Sequence, residues 1–411
     1  MRELATFTHT VLPSEMALEL LFARFSGSPM LPNIRSIEWF GTEEERHTTL
    51  ILPLLVSPLL TNFYYYLEDT SHTRAIVSAL TPACNSLRSI IIVHSSSHPG
   101  PESPDLVQES SALLLKCGSD QFRTFVIGSP LSWKAFLRAS QLPSLQCFAV
   151  RPDWTEPLSN ASLPAAMFPS IQHLCIEVHD ADSVWLQFLA RISSNGFYFL
   201  TIELRNAAAA TIGLPAALKH LRSAGLHTTL TKMVIYPQGD SRGLEVGGTI
   251  IEHLLPLNQL EELDISFICN PAECCHKLSD EDIEKLVKGM PKLEYLALGD
   301  NLCCGRPDNS IKNLTAIANH CKYLKGLRIH INAEAVIAGT FDRDEYADEE
   351  PVPRQPVECP LLTITFGTSA ILTQRERQRD AKALASKLSQ LFPHLIEAKT
   401  ADERYLIDPY L

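Results

Sequence analysis

The sequence predicts a right-handed α/β solenoid of leucine-rich repeats, a horseshoe with parallel strands on its concave face and helices on its convex face. Three observations carry that reading. The phrase L-x-x-L-x-L recurs along nearly the whole 411-residue chain. A segment of helix length and amphipathic pattern separates many of the copies. The steps between copies run from 23 to 37 residues, a period that a catalytic core has no use for and a stack of similar coils requires.

Residues 1–30 precede the first phrase and are expected to cap the stack. Residues 31–400 hold the repeats, and 401–411 form a tail. The best phrases are Leu293-Glu-Tyr-Leu296-Ala-Leu298-Gly-Asp-Asn301 and Leu324-Lys-Gly-Leu327-Arg-Ile329-His-Ile-Asn332, both completed by the asparagine of the repeat consensus. Looser copies start at Ile34, Leu60, Leu87, Phe122, Leu145, Ile171, Phe199, Leu230, Leu260 and Leu361, and a frayed one at Leu395. Between them, helices are expected at 72–83, 106–116, 183–192, 214–223, 279–288 and 310–320. In the fifth of these, Ser279 caps the N-terminus, acids fill the first turn, and Ile283, Leu286 and Val287 make one apolar stripe. Strand, helix and strand in fixed order give parallel strands on one side and helices on the other.

Two insertions break the period. Near 94–104 a Ser/Pro-rich loop lengthens one coil. Near 341–359, six acids among 342–350 are followed by Pro351, Pro353 and Pro356. Neither composition buries a core, so both are read as surface loops.

Composition narrows the function. Lys and Arg number 35 against 47 Asp and Glu, a formal net charge of −12. Phosphate binding needs a concentrated basic face, and none is present, so nucleic acid is not the expected partner. The N-terminus lacks the apolar core of a secretory signal, and the greasy stretch 50–60 is too short to span a bilayer. Eleven scattered cysteines do not form a disulfide framework. A reducing compartment, cytoplasm or nucleus, is the expectation, with no membrane contact.

No nucleophile elbow, zinc-protease, phosphate-loop or dinucleotide motif occurs. The glycines at 243, 247 and 248 lack phosphate-loop spacing. The chain is therefore read as a non-enzyme with no cofactor. Cys269, Cys274, Cys275 and His276 follow one strand phrase and Cys303 and Cys304 the next, which brings four or more soft ligands into neighbouring loops. Zinc binding is one reading of them; buried inert thiols are the other, and no metal site is assigned.

Leucine-type positions of each phrase point into the core, so the residues between and after them face the concave side. In the first coils these read Glu38 and Phe40, Tyr64 and Tyr66, Ile91 and Val93, and are mainly apolar or aromatic. In later coils they turn mixed and charged. Two readings remain open: a binding patch, or a surface that loops or a terminus cover. On the first, Phe40, Tyr64, Tyr66, Ile91 and Val93 anchor a protein ligand, while Arg205, Asp264, Arg328 and His330 set orientation and on-rate.

The phrases Leu31-Pro-Asn-Ile-Arg-Ser-Ile-Glu-Trp39, Ser57-Pro-Leu-Leu-Thr61, Leu278-Ser-Asp-Glu-Asp282 with Met290-Pro-Lys-Leu-Glu-Tyr-Leu296, and Leu391-Phe-Pro-His-Leu395 resemble the repeat region of the fungal F-box/leucine-rich-repeat family. That resemblance implies the substrate-recognition part of an SCF-type ubiquitin ligase receptor. The family's three-helix F-box, which grips the ligase adaptor, has no full counterpart here. Leu12-Pro-Ser-Glu15 with Leu20-Leu-Phe22 imitates only its first helix. Adaptor binding is thus expected only if an F-box lies upstream. The alternative is a stand-alone repeat scaffold unrelated to ubiquitin.

Overall fold

The structure, a computed structural model, describes residues 5–7, 15–25, 28–40, 51–67, 73–94, 104–117, 120–150, 163–178, 184–204, 212–237, 248–266, 278–299, 312–330, 359–366 and 388–400. The chain divides into two compact units, Met1–Glu177 with Gln187–Tyr198, and Val178–Leu186 with Phe199–Leu411.

The first unit carries β1 (Ala5–Phe7), β2 (Ser36–Phe40), β3 (Asn62–Leu67), β4 (Ser89–His94), β5 (Thr124–Ile127), β6 (Cys147–Val150) and β7 (His173–Val178). Each pairs in parallel with the next in sequence. Helices Thr73–Leu80, Pro104–Lys116 and Trp133–Ser140 pack side by side as a second layer. The second unit repeats the plan with β8 (Phe199–Leu204), β9 (Lys232–Pro237), β10 (Glu262–Ile265), β11 (Tyr295–Leu298), β12 (Gly326–Ile329), β13 (Thr363–Phe366) and β14 (Glu397–Thr400), again all parallel. Its helices are Leu214–Ser223, Gly248–Leu254, Asp280–Gly289 and Lys312–His320. The fold is a leucine-rich-repeat solenoid.

All thirteen phrases coincide with strands, β2 to β14. One more strand, β1, lies in the segment expected only to cap. It is followed by the helix Glu15–Phe25 and pairs with β2, Thr6 opposite Glu38, so residues 1–30 supply a strand and a helix of the repeat plan.

The phrase works because its first leucine anchors a turn. Leu60, Leu87, Phe122, Leu145, Ile171, Leu230, Leu260, Leu293, Leu324 and Leu361 are all fully buried. The carbonyl one residue later accepts two N–H groups from the next coil. Thr61 accepts from Arg88 at 2.7 Å and Ser89 at 3.1 Å, and Glu261 accepts from Glu294 at 2.7 Å and Tyr295 at 3.0 Å. These backbone groups have no partner inside their own coil, so stacking is what satisfies them. Each buried leucine adds about 1.5–3 kcal/mol of hydrophobic stabilisation. Serine hydroxyls reinforce the turns: Ser86 donates to the Leu60 carbonyl at 2.7 Å and Ser170 to that of Pro143 at 2.6 Å. The asparagines Asn301 and Asn332 lie outside the described residues.

Two expectations change. The seventh phrase, that of β8, starts at Phe197, not Phe199. Tyr198 N–H donates to the Gln172 carbonyl, the bond that defines the residue after the first anchor, and Thr201 pairs with Val234. Phe197, Leu200, Ile202 and Leu204 are all fully buried, so both readings fit the alternation, and only the pairing decides. The helix expected at 183–192 is a 3₁₀ helix, Val184–Arg191. Its greater rise, ~2.0 Å per residue against ~1.5 Å, spans the return path in a coil that the corrected register shortens.

Other helices follow their local chemistry. Ser279 accepts the Asp282 N–H, and the Asp282 carboxylate accepts the Ser279 N–H at 3.0 Å, a reciprocal cap. The helix Trp133–Ser140, which the periodicity did not single out, is capped by Ser132 accepting from Ala135 at 3.4 Å.

Candidate functional site

Strand alternation puts three rows of side chains on the sheet face away from the core. In the first unit the strand register aligns Glu38 with Tyr64, Tyr64 with Ile91, and Ile91 with Val126. A second row aligns Phe40 with Tyr66 and Tyr66 with Val93. Tyr64, Tyr66, Ile91 and Val93 are each half-buried, while Phe63 and Tyr65 beside them are core. The ladder closes at β5, where Val126 is only 5% exposed. Among the described side chains the accessible apolar patch is therefore confined to β3 and β4, narrower than the run of first coils the sequence suggested. Backbone register sets Phe40 next to Tyr66.

In the second unit the equivalent positions are polar and bonded to one another. Arg328 on β12 donates to both Asp264 oxygens, at 2.7 and 2.8 Å, and to Ser266 Oγ at 2.8 Å. It does so across β11, because Ala297 and Gly299 stand between them and leave the space open. The side chains of Arg328 and Asp264 are only 14% and 19% exposed. His330 is 1% exposed. Asp264 and Arg328 thus serve each other first, and His330 is interior. Arg205, the fourth residue expected to steer a partner, lies outside the described residues. The register at Phe197 moves Glu203 into the row of Tyr236, whose hydroxyl donates to the Glu203 carboxylate.

Replacing Asp264 by alanine is expected to destabilise the chain by about 2 kcal/mol, since it leaves a mostly buried guanidinium with only Ser266. Denaturant titration checks this, and Asp264→Asn, which keeps an acceptor, should recover part of the loss.

A third outward row, just before the second core position, is one that the repeat phrase alone did not mark. It aligns Phe199, Lys232, Glu262, Tyr295 and Gly326. The Lys232 ammonium sits 4.7 Å over the Phe199 ring and 2.9 Å from the Glu262 carboxylate. The Tyr295 ring takes the space beside Gly326, where a Cβ would come within 2.7 Å of it. Burial raises the Tyr295 phenol above its usual range; the Asp264 and Glu262 carboxylates add to this and the Arg328 cation opposes it. The signal lies in the alternation itself, which turns the residue before each second core position outward as well.

In the first unit, Cys147 Sγ lies 3.5 Å from His173 Nδ1 across β6 and β7. Burial pushes the Cys147 thiol up to about 12, so it stays neutral at physiological pH and is not an activated nucleophile. Among the described residues no three His, Cys, Asp or Glu side chains gather where they could hold a metal ion. Cys269, Cys274, Cys275, His276, Cys303 and Cys304 lie outside the described residues, as do 95–103, 341–358 and 401–411. No described helix is long and apolar enough to cross a membrane.

No protein-family model matches the chain, and no curated protein matches its sequence. In structure it is similar to the crystal structure of a Rad7 and Elc1 complex in yeast, at 10% identity and a TM-score of 0.46, over 96% of this chain and 86% of that one. It is also similar to an internalin from Listeria monocytogenes, at 14% identity and a TM-score of 0.37, over 91% and 82%.

Proposed function

We propose that this chain is a protein-binding module that acts by holding a protein ligand on its open sheet face, without catalysis. The observation that carries the reading is the ladder of Tyr64, Tyr66, Ile91 and Val93, aligned in register on adjacent strands and left half-exposed. Aromatic and aliphatic groups fixed on a rigid sheet lose little entropy on binding and are the side chains that dominate hot spots. Phe40 continues the same row. Asp264 and Arg328 contribute shape and polarity more than free charge, because each neutralises the other.

The likeness to F-box repeat proteins gives this reading a finer form, substrate recognition for a ubiquitin ligase in the cytoplasm or nucleus. Residues 1–30 do not supply the adaptor grip in that reading. The helix Glu15–Phe25, which contains the F-box-like Leu20-Leu-Phe22, lies in the connection between the paired strands β1 and β2, the place of the helix in a coil.

The test is a Tyr64→Ala/Tyr66→Ala variant in an affinity purification. The partner recovered by the natural chain should fall at least ~10-fold, as expected when hot-spot contacts go. Circular dichroism should stay unchanged, with Tm within a few degrees. Equal recovery of every partner by the variant refutes the proposal.

A further inference from the structure

On the sheet face of β2 to β5, the three outward rows read Ser36, Asn62, Ser89 and Thr124; Glu38, Tyr64, Ile91 and Val126; and Phe40, Tyr66, Val93 and Gly128. Glu38 is the only charged residue among these twelve. It is half-buried, flanked on β3 by Tyr64, and no cation among the described residues pairs with it. Tyr64 makes no hydrogen bond through its hydroxyl among the described residues. The face is otherwise uncharged, and covering this half-buried carboxylate with an apolar ligand would leave the charge buried and unpaired. A ligand that covers this face without penalty therefore brings a cation to Glu38.

Resting on the proposed binding role of the same face, we infer that Glu38 and Tyr64 form a subsite for a lysine or arginine side chain of the partner, set beside apolar residues that meet Tyr66, Ile91 and Val93. The chemistry is complementary on each count. The carboxylate accepts charge-assisted hydrogen bonds from an ammonium or guanidinium. The adjacent phenol ring offers its face to the same cation, an interaction that strengthens as water leaves. The chain's net charge of −12 favours approach of a basic segment over an acidic one. Fixed strand positions set the spacing: the cation at the β2–β3 end, the apolar residues toward β4.

The experiment pans a displayed library of random 12-residue peptides on the full chain, then measures enriched synthetic peptides by titration calorimetry. Enriched sequences should carry Lys or Arg next to aromatic or aliphatic residues. Glu38→Gln should weaken them about tenfold and Glu38→Lys more, with circular dichroism unchanged. Replacing the peptide's basic residue by norleucine should lose a similar factor against the natural chain and almost nothing against Glu38→Gln, the mark of a direct pair. Peptides that depend on Tyr64 and Tyr66 yet bind Glu38→Gln equally overturn the cation subsite while leaving the binding face intact. Peptides indifferent to all three residues, or no enriched peptide at all, overturn both.

Discussion

Leu296→Asp is expected to destabilise the chain by about 3–5 kcal/mol, because it places an unpaired charge where nothing can solvate it. Leu296 is fully buried on β11, in register with the fully buried Leu263 and with Leu327 on the two flanking strands. An aspartate there meets no donor, since the nearest polar pair, Asp264 with Arg328, lies on the opposite face of the sheet. In a solenoid the loss falls on the coil and on both interfaces it shares, so neighbouring coils are weakened with it. A denaturant midpoint far below that of the natural chain, or failure to express in soluble form, is the expected result. The control is Glu294→Ala, two residues away. Glu294 bonds Lys325 at 2.6 Å, but their side chains are 46% and 58% exposed, and its loss should cost about 0.5 kcal/mol or less. If both variants melt together, the assignment of Leu296 to the core and of Glu294 to the exposed turn before β11 is wrong.

Phe136→Ala is expected to cost about 3–5 kcal/mol by leaving a cavity that its neighbours cannot fill. Phe136 is the hub of an aromatic cluster in the first unit. Its ring stacks on Trp133 at 5.0 Å, meets Phe188 edge-on at 5.1 Å and Phe168 at 5.8 Å, and tilts against Phe148 at 6.2 Å. Phe136, Phe148, Phe168 and Phe188 are all fully buried. Phe168 adds a backbone cost of its own, since its φ of +52° lies in the left-handed region that a phenylalanine rarely adopts. Such a conformation persists only where packing over-determines it, and Phe136 supplies part of that packing. Calorimetry should show a lowered Tm. Phe136→Leu, which restores most of the volume, should recover more than half of the loss. An unchanged Tm in the alanine variant would mean that the cluster relaxes freely and does not specify this part of the core.

Much of this architecture is written locally. The L-x-x-L-x-L period located β2 to β14, because a leucine that turns the chain and two that point inward are needed in every coil, whatever its neighbours are. Alternation likewise told Phe63 and Tyr65 from Tyr64 and Tyr66 without any tertiary knowledge. The Ser279 cap was legible too, since a helix N-terminus is satisfied within its own first turn.

What local pattern cannot do is choose between registers two residues apart. Phe197 and Phe199 both start an acceptable phrase, because a shift of two keeps every side chain on its face. The partner strand, through Tyr198 bonding to Gln172 and Thr201 facing Val234, made the choice. The same limit hid the state of the charges. Asp264 and Arg328 are 64 residues apart, and read singly they look like free surface groups. Only the stacking of β10, β11 and β12, with small residues in the middle strand, lets the guanidinium reach across and neutralise the carboxylate. Sequence by itself determined the repeat, the faces and the core of this protein. Tertiary structure decided which outward groups are left for a partner, because that depends on the size and charge of residues one and two coils away.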